Sequence, residues 1–222
     1  MKQKNFLQKL HNSTKRNYIE RMLDKNRVFN MNTAQKFSRL YWDGPRNFGY
    51  GGYKYIPGRW TPLAKKLIKN YKLNSRSKII DLGCGKGFLL YEIKKLIPSI
   101  HITGLDISRY AIKNSKKEVK KFLKVFDVSK KLNYKKNYFD LAISLGVFHC
   151  FPIKDLEFAL KQMGKIAKKK YIMVESYRNL VELSNLQCWA LTCKSYYHDK
   201  DWIYLFKKNN LNGDYEFIRF GS

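Results

Sequence analysis

The sequence predicts an α/β fold in which a mostly parallel β-sheet is covered by helices on both faces. Two observations carry this prediction. From residue 78 onward, short apolar runs alternate with amphipathic stretches, and the first apolar run ends in a glycine-rich turn. The length of 222 residues and the hydrophobic fraction of 44% suit one globular domain with a short extension. Such a composition argues against a disordered protein, and no apolar run approaches the roughly 20 residues that span a bilayer.

The first sixty residues are predicted to form an N-terminal extension of helices and an aromatic lid, ahead of a domain that covers residues 61–222. The first forty residues are polar and permit helices. Residues 41–60 read YWDGPRNFGYGGYKYIPGRW and are rich in Gly, Pro and aromatic side chains, which fits neither a regular helix nor an alternating strand. Thr61 followed by Pro62 predicts a helix start, with the Thr61 hydroxyl as its N-cap.

The remaining elements follow in order along the chain. The expected strands cover residues 78–82, 100–105, 122–126, 139–145 and 171–174, and the helices between them cover residues 88–96, 108–121 and 153–167. Ser108 is the expected N-cap of the middle helix. Ligands of such sheets bind beyond the carboxyl ends of the strands, so functional side chains are expected there.

The first strand ends in the sequence DLGCGKG, which begins at Asp81. Glycines let the backbone turn tightly and approach a ligand at the start of the next helix. The spacing is GxGxG, and the last Gly of the dinucleotide fingerprint GxGxxG is missing because Phe88 stands in its place. The carboxylate of Asp81 would repel a pyrophosphate, but it suits a ligand that carries an ammonium group and a positive sulfonium.

Two further acids stand at the next strand ends. Asp106 ends the second strand, where a carboxylate can accept two ribose hydroxyls. Asp127 ends the third, where the carboxylate or the next backbone N–H can take the amine and ring nitrogen of adenine. Three acids in this order describe a site for S-adenosylmethionine. The structural alternatives are that the glycines and Asp81 serve only a tight turn, and that Asp106 only caps the following helix.

The motifs IIDLGCGKGFLL, ITGLDIS, KVFDVS and FDLAISLGVFHCF together resemble those of class I S-adenosylmethionine-dependent methyltransferases over residues 61–177. The resemblance implies a Rossmann-like three-layer sandwich, mostly parallel with an antiparallel C-terminal strand, and S-adenosylmethionine as the cofactor without a metal. The cofactor-binding residues that it implies are Asp81, Gly83, Cys84, Gly85, Gly87, Asp106, Ile107, Asp127, Val128 and Leu145. The aromatic lead-in and the C-terminal tail are similar to a subgroup of small bacterial methyltransferases whose acceptor is unassigned.

The sequence indicates the residues that bind the methyl acceptor less clearly than those that bind the cofactor. His149 occupies the position where many relatives carry His near the transferred methyl group, and it is either a general base or a packed, substrate-orienting residue. The aromatic residues fit a lid that excludes water, or they attach the extension to the sheet. Arg59 is a candidate clamp for a phosphate or carboxylate. The expected substrate-binding residues are Tyr50, Tyr53, Arg59, Trp60, His149 and Tyr197.

Charge is the outlying property of the composition. The chain has 45 Lys and Arg against 17 Asp and Glu, a formal net charge of +28. Such a charge attracts any polyanion, but Lys is spread from Lys2 to Lys208 and accompanies the Asn, Ile and Tyr bias of AT-rich coding DNA. The excess favours an anionic acceptor without selecting nucleic acid. Four Cys at unrelated spacings predict neither zinc nor disulfides and fit a cytoplasmic location.

The expected function is methyl transfer from S-adenosylmethionine to an O or N atom of a small anionic metabolite, sugar or nucleotide-sugar. An RNA methyltransferase is the first alternative. The charge favours it, but the fourth-strand motif lacks the Asn-Pro-Pro-aromatic element that acts on base amines. The second alternative is a non-catalytic binding subunit with a cofactor fold. The intact GxGxG turn and the two downstream acids count against it.

Overall fold

The computed structural model describes residues 1–14 and 16–221, so that Lys15 and Ser222, the last residue of the expected domain, lie outside the described residues. Its centre is a six-stranded sheet in the order β3-β2-β1-β4-β5-β6. The strands are β1 (Lys78–Leu82), β2 (His101–Asp106), β3 (Leu123–Val125), β4 (Phe139–Leu145), β5 (Ala167–Glu175) and β6 (Asp214–Ile218). Each pair of neighbouring strands is parallel.

Helices cover both faces of the sheet, which gives the three layers that the sequence predicts. The helices are α1 (Gln8–Asn12), α2 (Tyr18–Met22), α3 (Arg27–Ala34), α4 (Arg39–Asp43), α5 (Thr61–Tyr71), α6 (Phe88–Leu96), α7 (Arg109–Lys113), α8 (Lys117–Lys120), α9 (Ile153–Ile166), α10 (Leu180–Trp189) and α11 (Asp199–Lys208). Side chains from α5, α6 and α10 form the core on one face of the sheet, and those from α9 and α11 form the core on the other.

Alternation along β1 explains why both faces are apolar. Ile79 belongs to the core beneath α5 and α6, and the next residue, Ile80, belongs to the core beneath α9 and α11. Both residues have no solvent exposure. A strand covered on both faces needs apolar residues on both, which is why the middle of β1 reads as a continuous apolar run instead of an alternating one.

The expectation of an antiparallel C-terminal strand is wrong. β6 pairs with β5 in parallel, with Tyr171 opposite Asp214 and Glu175 opposite Ile218. The physical reason is the connection. Residues 176–213 contain α10 and α11, and this long crossover returns the chain to the end of the sheet at which β5 began.

Two local predictions also differ from the structure. The single helix expected over residues 108–121 is two short helices, because Ser115 donates its hydroxyl to the carbonyl of Ile112 and closes the first of them. Ser108 is the N-cap, as expected. The Thr61 hydroxyl does not cap α5. It donates to Glu92 Oε2 at 2.5 Å and joins α5 to α6.

The N-terminal extension packs on the edge of the sheet. Gln3 forms a parallel bridge with Tyr215 in β6. The carboxylate of Glu216, 1% exposed, accepts hydrogen bonds from the backbone N–H groups of Phe6 and Leu7 at 2.7 and 2.8 Å. These bonds cover the edge strand and lead the following residues toward the carboxyl ends of the strands.

Within residues 1–14 and 16–221, we find no helix that is both long and apolar enough to cross a membrane. The four cysteines carry free thiols.

Candidate functional site

A cavity of about 650 Å³ lies beyond the carboxyl ends of β1, β4 and β5. The strand order reverses between β1 and β4, and this reversal is where open α/β sheets bind ligands. The walls of the cavity come from the glycine-rich turn after β1, the aromatic lid (residues 41–60), the N-terminal extension and the end of α10. The volume lies in the ordinary range for small-molecule sites, about 300–1,000 Å³.

The turn after β1 requires glycine. Gly83 has φ +91°, and a Cβ atom there would lie 2.1 Å from a methyl group of Val147. Its backbone N–H donates to the carbonyl of Leu105 at 2.7 Å, which holds the turn against the end of β2. Gly85 has φ +55°, and a Cβ atom would lie 2.9 Å from the ring of Trp42. The backbone therefore passes close to its neighbours in a conformation that favours glycine.

Asp81 is a buried acid without a partner. Its side chain is 4% exposed, and Oδ1 has no hydrogen bond to any part of the chain that the structure describes. Burial, together with the nearby charge of Asp106, raises the pKa of Asp81 to about 8. A ligand that brings a positive charge would supply the missing partner. The turn therefore fits the ammonium and sulfonium end of S-adenosylmethionine.

The carboxylate of Asp106 is bonded to the main chain on both oxygens. Oδ2 accepts from Gly85 N at 2.7 Å, and Oδ1 accepts from Ser108 N at 2.8 Å. Asp106 therefore joins the glycine-rich turn to the start of α7. Asp127 likewise accepts from Ser129 N at 2.9 Å. These two acids do not line the cavity, nor do the half-exposed Ile107 and the buried Val128.

Trp42 of the aromatic lid covers the side of the turn that faces β2. Its indole N–H donates to Ser108 Oγ at 2.9 Å and to the carbonyl of Phe37 at 3.1 Å. Its ring stacks on Tyr50 with centroids 5.3 Å apart. The sequence singled out the aromatic segment but not this residue, because nothing in the spacing distinguishes Trp42 from the other rings.

The lid is tied to the turn by an ion pair. Lys86, within the GxGxG sequence and 5% exposed, donates from Nζ to both oxygens of Asp43 at 2.8 and 2.6 Å and to the carbonyl of Tyr53 at 2.8 Å. Tyr110 also donates to Asp43, at 2.8 Å. Burial opposes the charge of Asp43, but these hydrogen bonds outweigh it and lower the pKa of the carboxyl.

His149 and Glu175 form a pair at the ends of β4 and β5. The Nδ1 atom of the buried His149 accepts from the backbone N–H of Glu175 at 3.2 Å, and Nε2 faces Glu175 Oε2 at 3.4 Å. Burial acts to lower the pKa of His149, but the Glu175 carboxylate, with a smaller contribution from Cys150, raises it to about 9. Because Nδ1 accepts the hydrogen bond from Glu175, the ring carries its proton on Nε2, where the Glu175 carboxylate favours it. Of the pair, Glu175 is therefore the side chain with lone pairs available to the cavity.

The structure brings most of the sequence-predicted residues together around this cavity. Those that line it are Tyr50, Tyr53, Arg59, Trp60, Asp81, Gly83, Cys84, Gly85, Leu145 and His149. Gly87 lies behind it against Leu123. Tyr197 also lies away from it, with its ring edge-on to Trp202 at 5.3 Å.

Sequence reasoning missed two sets of lining residues. Glu175 had a usable signal, since it is an acid at the carboxyl end of a buried strand, like Asp81 and Asp106. The second set is the arginines. The chain has 35 Lys and only 10 Arg, yet the cavity is lined by one lysine and four arginines. The lining arginines that were missed are Arg16, Arg21 and Arg46, whereas the fourth, Arg59, was predicted from the sequence. The sequence did hold a sign of them, because six of the ten arginines lie within the first sixty residues.

The profile of a methyltransferase domain family matches residues 73–213. A malonyl-[acyl-carrier protein] O-methyltransferase from Bacillus anthracis is 31% identical over 88 residues, which are 39% of this chain and 32% of that protein. The match thus spans about a third of the length of the curated relative.

Two solved structures share the fold. The YcgJ protein from Bacillus subtilis aligns with a TM-score of 0.53 and 13% identity over 66% of either chain. A geranyl diphosphate C-methyltransferase from Streptomyces coelicolor, solved with Mg²⁺, geranyl diphosphate and S-adenosyl-L-homocysteine, aligns with a TM-score of 0.54 and 10% identity. That alignment covers 66% of this chain and 58% of the other. At such identities the likeness concerns the fold alone.

Proposed function

The chain belongs to the class I S-adenosylmethionine-dependent methyltransferases, and we propose that it transfers a methyl group from this cofactor to an oxygen or nitrogen atom of a small anionic acceptor. One observation carries the proposal: the unpartnered carboxylate of Asp81 and the possible proton acceptor Glu175 open into the same cavity. The acceptor class includes sugars, nucleotide-sugars and other anionic metabolites.

Asp81 and the glycine-rich turn support binding of the methionine end of the cofactor. When bound, the cofactor supplies a methyl group on a sulfonium that is an excellent leaving group. Asp81 would pair with the ammonium group, and Gly83 and Gly85 line the cavity beside it, so that the cofactor could lie close to the backbone of the turn. The protein then has to align the acceptor and exclude water.

The nucleoside end requires the lid to shift. Asp106, Ile107, Asp127 and Val128 remain the proposed contacts for ribose and adenine, but they lie outside the cavity and Trp42 packs on the same side of the turn. We infer that α4 moves away from Ser108 when the nucleoside binds. The ion pair between Lys86 and Asp43 would then act as the pivot that keeps the lid attached.

Glu175 is the proposed proton acceptor, and His149 is the residue that positions it. The backbone N–H of Glu175 already fills the lone pair of His149 Nδ1, and the Nε2 proton is directed at the Glu175 carboxylate. A carboxylate held in this way can take the proton of an acceptor hydroxyl as the oxygen attacks the methyl carbon. In this proposal His149 positions Glu175, a role that differs from both the general base and the packed, substrate-orienting residue expected from the sequence.

The lining of the cavity supports a small, negatively charged acceptor. Four arginines and Lys54 face it, against the two acids Asp81 and Glu175. The malonyl group in the name of the Bacillus relative also ends in a carboxyl group. The excess positive charge is therefore local to the site as well as general to the chain.

The test is incubation of the protein with methyl-labelled S-adenosylmethionine and a fractionated cell extract. We expect label in the small anionic metabolites and none in RNA or protein. Glu175→Gln, which keeps the shape of the side chain but removes the proton acceptor, should abolish that labelling while the cofactor still binds in calorimetry. Label that enters only RNA would reject the acceptor class, and absence of cofactor binding would reject the function.

A further inference from the structure

We propose that Arg16, Arg21 and Arg46 form a subsite for a phosphoryl group, so that the acceptor is a phosphorylated metabolite. This inference rests on the proposed function, since it names the chemical class of the acceptor. The subsite lies in the wall of the cavity that the N-terminal extension, the aromatic lid and the end of α10 build together. None of these residues belongs to the cofactor motifs.

The three guanidinium groups gather around one aromatic ring, that of Trp189 at the end of α10. Their Cζ atoms lie 4.3 Å (Arg21), 5.1 Å (Arg46) and 5.4 Å (Arg16) from the ring centroid. A single indole ring thus holds three cations within 5.4 Å of its centre, where cation–π attraction favours them.

Backbone carbonyls orient two of the arginines without using up their donors. Arg21 donates from Nη1 to the carbonyl of Arg46 at 3.2 Å. Arg46 donates from Nη1 to the carbonyls of Gly49 and Tyr50 at 3.0 and 2.8 Å. Among the described residues, the second terminal nitrogen of either side chain has no hydrogen-bond partner. The guanidinium groups of Arg21 and Arg46 are therefore fixed in place, and each keeps hydrogen-bond donors that the protein does not use.

In the described chain, no acid is paired directly with these three cations, although the charges of Glu175 and Asp24 act to raise the pKa values of Arg16 and Arg21 respectively. Within residues 1–14 and 16–221, none of the three arginines forms an ion pair with Asp or Glu. Burial, followed by repulsion from Arg46 and Arg27, lowers the pKa of Arg21 to about 10, and burial likewise lowers that of Arg16. His11 beside them stays neutral, because burial and the charge of Arg16 lower its pKa to about 4. Three crowded cations are unfavourable until an anion joins them.

Arg27 shows what a structural arginine looks like in the same region. Its guanidinium donates to the carbonyls of Cys188, Gln187 and Ala190, at 2.8, 2.5 and 3.5 Å, which are the free carbonyls at the end of α10. It also donates to the carbonyl of Arg21. Both terminal nitrogens of Arg27 thus have partners and the residue does not line the cavity, in contrast to Arg21 and Arg46. Arg16 lines the cavity, and although its terminal nitrogens bond to His11 and Thr14, its buried Nε has no partner among the described residues.

The choice of arginine over lysine and the number of cations select the phosphoryl group. In a chain with 35 Lys and 10 Arg, four of the five basic side chains around the cavity are arginine. Guanidinium presents a planar fork that matches two oxygens of one oxyanion, which an ammonium group does not. A phosphate monoester carries nearly two negative charges at neutral pH, so it balances this cluster better than a single carboxylate does.

The experiment uses the full chain and inorganic pyrophosphate as the probe, with calorimetry as the readout. We expect saturable binding, weakened about tenfold or more in Arg21→Gln and in Arg46→Gln because each loses charge-assisted hydrogen bonds. Arg21→Lys, which keeps the charge but not the fork, should lie between Arg21→Gln and the wild type. The matched control is Arg76→Gln, since Arg76 is exposed before β1 at the opposite end of the sheet. It should change the affinity less than about twofold.

Malonate and S-adenosylmethionine are titrated in the same series. Malonate that binds as tightly as pyrophosphate, and is lost in the same variants, would overturn the phosphoryl assignment in favour of a carboxylate. A loss of cofactor affinity with unchanged pyrophosphate affinity would assign the arginines to the carboxylate of the cofactor instead. Equal effects of the Arg21 and Arg76 variants, or no saturable pyrophosphate binding, would also overturn the inference. Failure of the wild type to bind the cofactor would count against the proposed function and not against this subsite.

Discussion

The affinity for S-adenosylmethionine should depend on pH through Asp81. The folded protein without a ligand holds this carboxyl largely protonated at pH 7, because burial and Asp106 raise its pKa to about 8. The ammonium group of the cofactor pairs only with the ionised form. Binding below pH 8 therefore releases a proton from Asp81.

The size of the effect follows from the pKa. For each pH unit below 8, ionising Asp81 requires about 1.4 kcal/mol more free energy, which lowers the affinity for the cofactor about tenfold. Between pH 5.5 and 7 an α-amino group stays protonated, since its pKa lies near 8, so the ligand does not change its charge. The association constant should thus rise about tenfold for each pH unit over this range.

Calorimetry in two buffers of different ionisation enthalpy counts the released protons, and we expect nearly one proton per cofactor at pH 6.5. Asp81→Asn removes the titrating group. The variant should therefore bind the cofactor weakly, with an affinity that does not change with pH and without releasing a proton. The second buried acid near the turn, Asp106, has a raised pKa as well, but its two oxygens already accept backbone hydrogen bonds. A flat pH profile in the wild type, or an unchanged slope in Asp81→Asn, would refute the assignment.

Three further predictions concern catalysis and stability. Glu175→Gln should lower kcat about 100-fold or more while the cofactor affinity changes less than twofold; a kcat within about tenfold of the wild type would show that Glu175 is not the proton acceptor. Gly85→Ala should destabilise the protein to urea by about 2 kcal/mol, since φ is +55° and the new Cβ would lie 2.9 Å from the tryptophan ring of the lid. Gly52→Ala, with φ +104° and open space around it, should cost only about 1 kcal/mol, and equal losses would contradict the close contact. Leu160→Ala, at a fully buried position, should cost about 2–5 kcal/mol, against less than 1 kcal/mol for Leu96→Ala at 39% exposure.

Local patterns identified most elements of the sheet and of the cofactor turn. β1 and β4 have the bounds that the apolar runs predict, and α6 begins directly after the last glycine of the turn. These elements are readable because a buried parallel strand needs apolar residues on both of its faces, while a helix needs them on one face only. The helix over residues 108–121 was misread, because side-chain competition from Ser115 for a backbone carbonyl leaves the apolar spacing unchanged.

The direction of β6 could not be read from its own residues. An apolar run has the same composition whether the strand is parallel or antiparallel, and the direction depends on which way the preceding connection returns. Here α10 and α11 form that connection, and they set β6 parallel to β5.

The sequence by itself determined the mostly parallel sheet and the family, because these depend on local periodicity and on motifs of adjacent residues. Only the tertiary structure decided what surrounds the acceptor. Arg16 and Arg46 are thirty residues apart in the chain, yet they meet on Trp189, which comes from the opposite end of the sequence. His149 and Glu175 likewise meet only because β4 and β5 are neighbours. Such juxtapositions depend on packing between distant segments, and no local spacing encodes them.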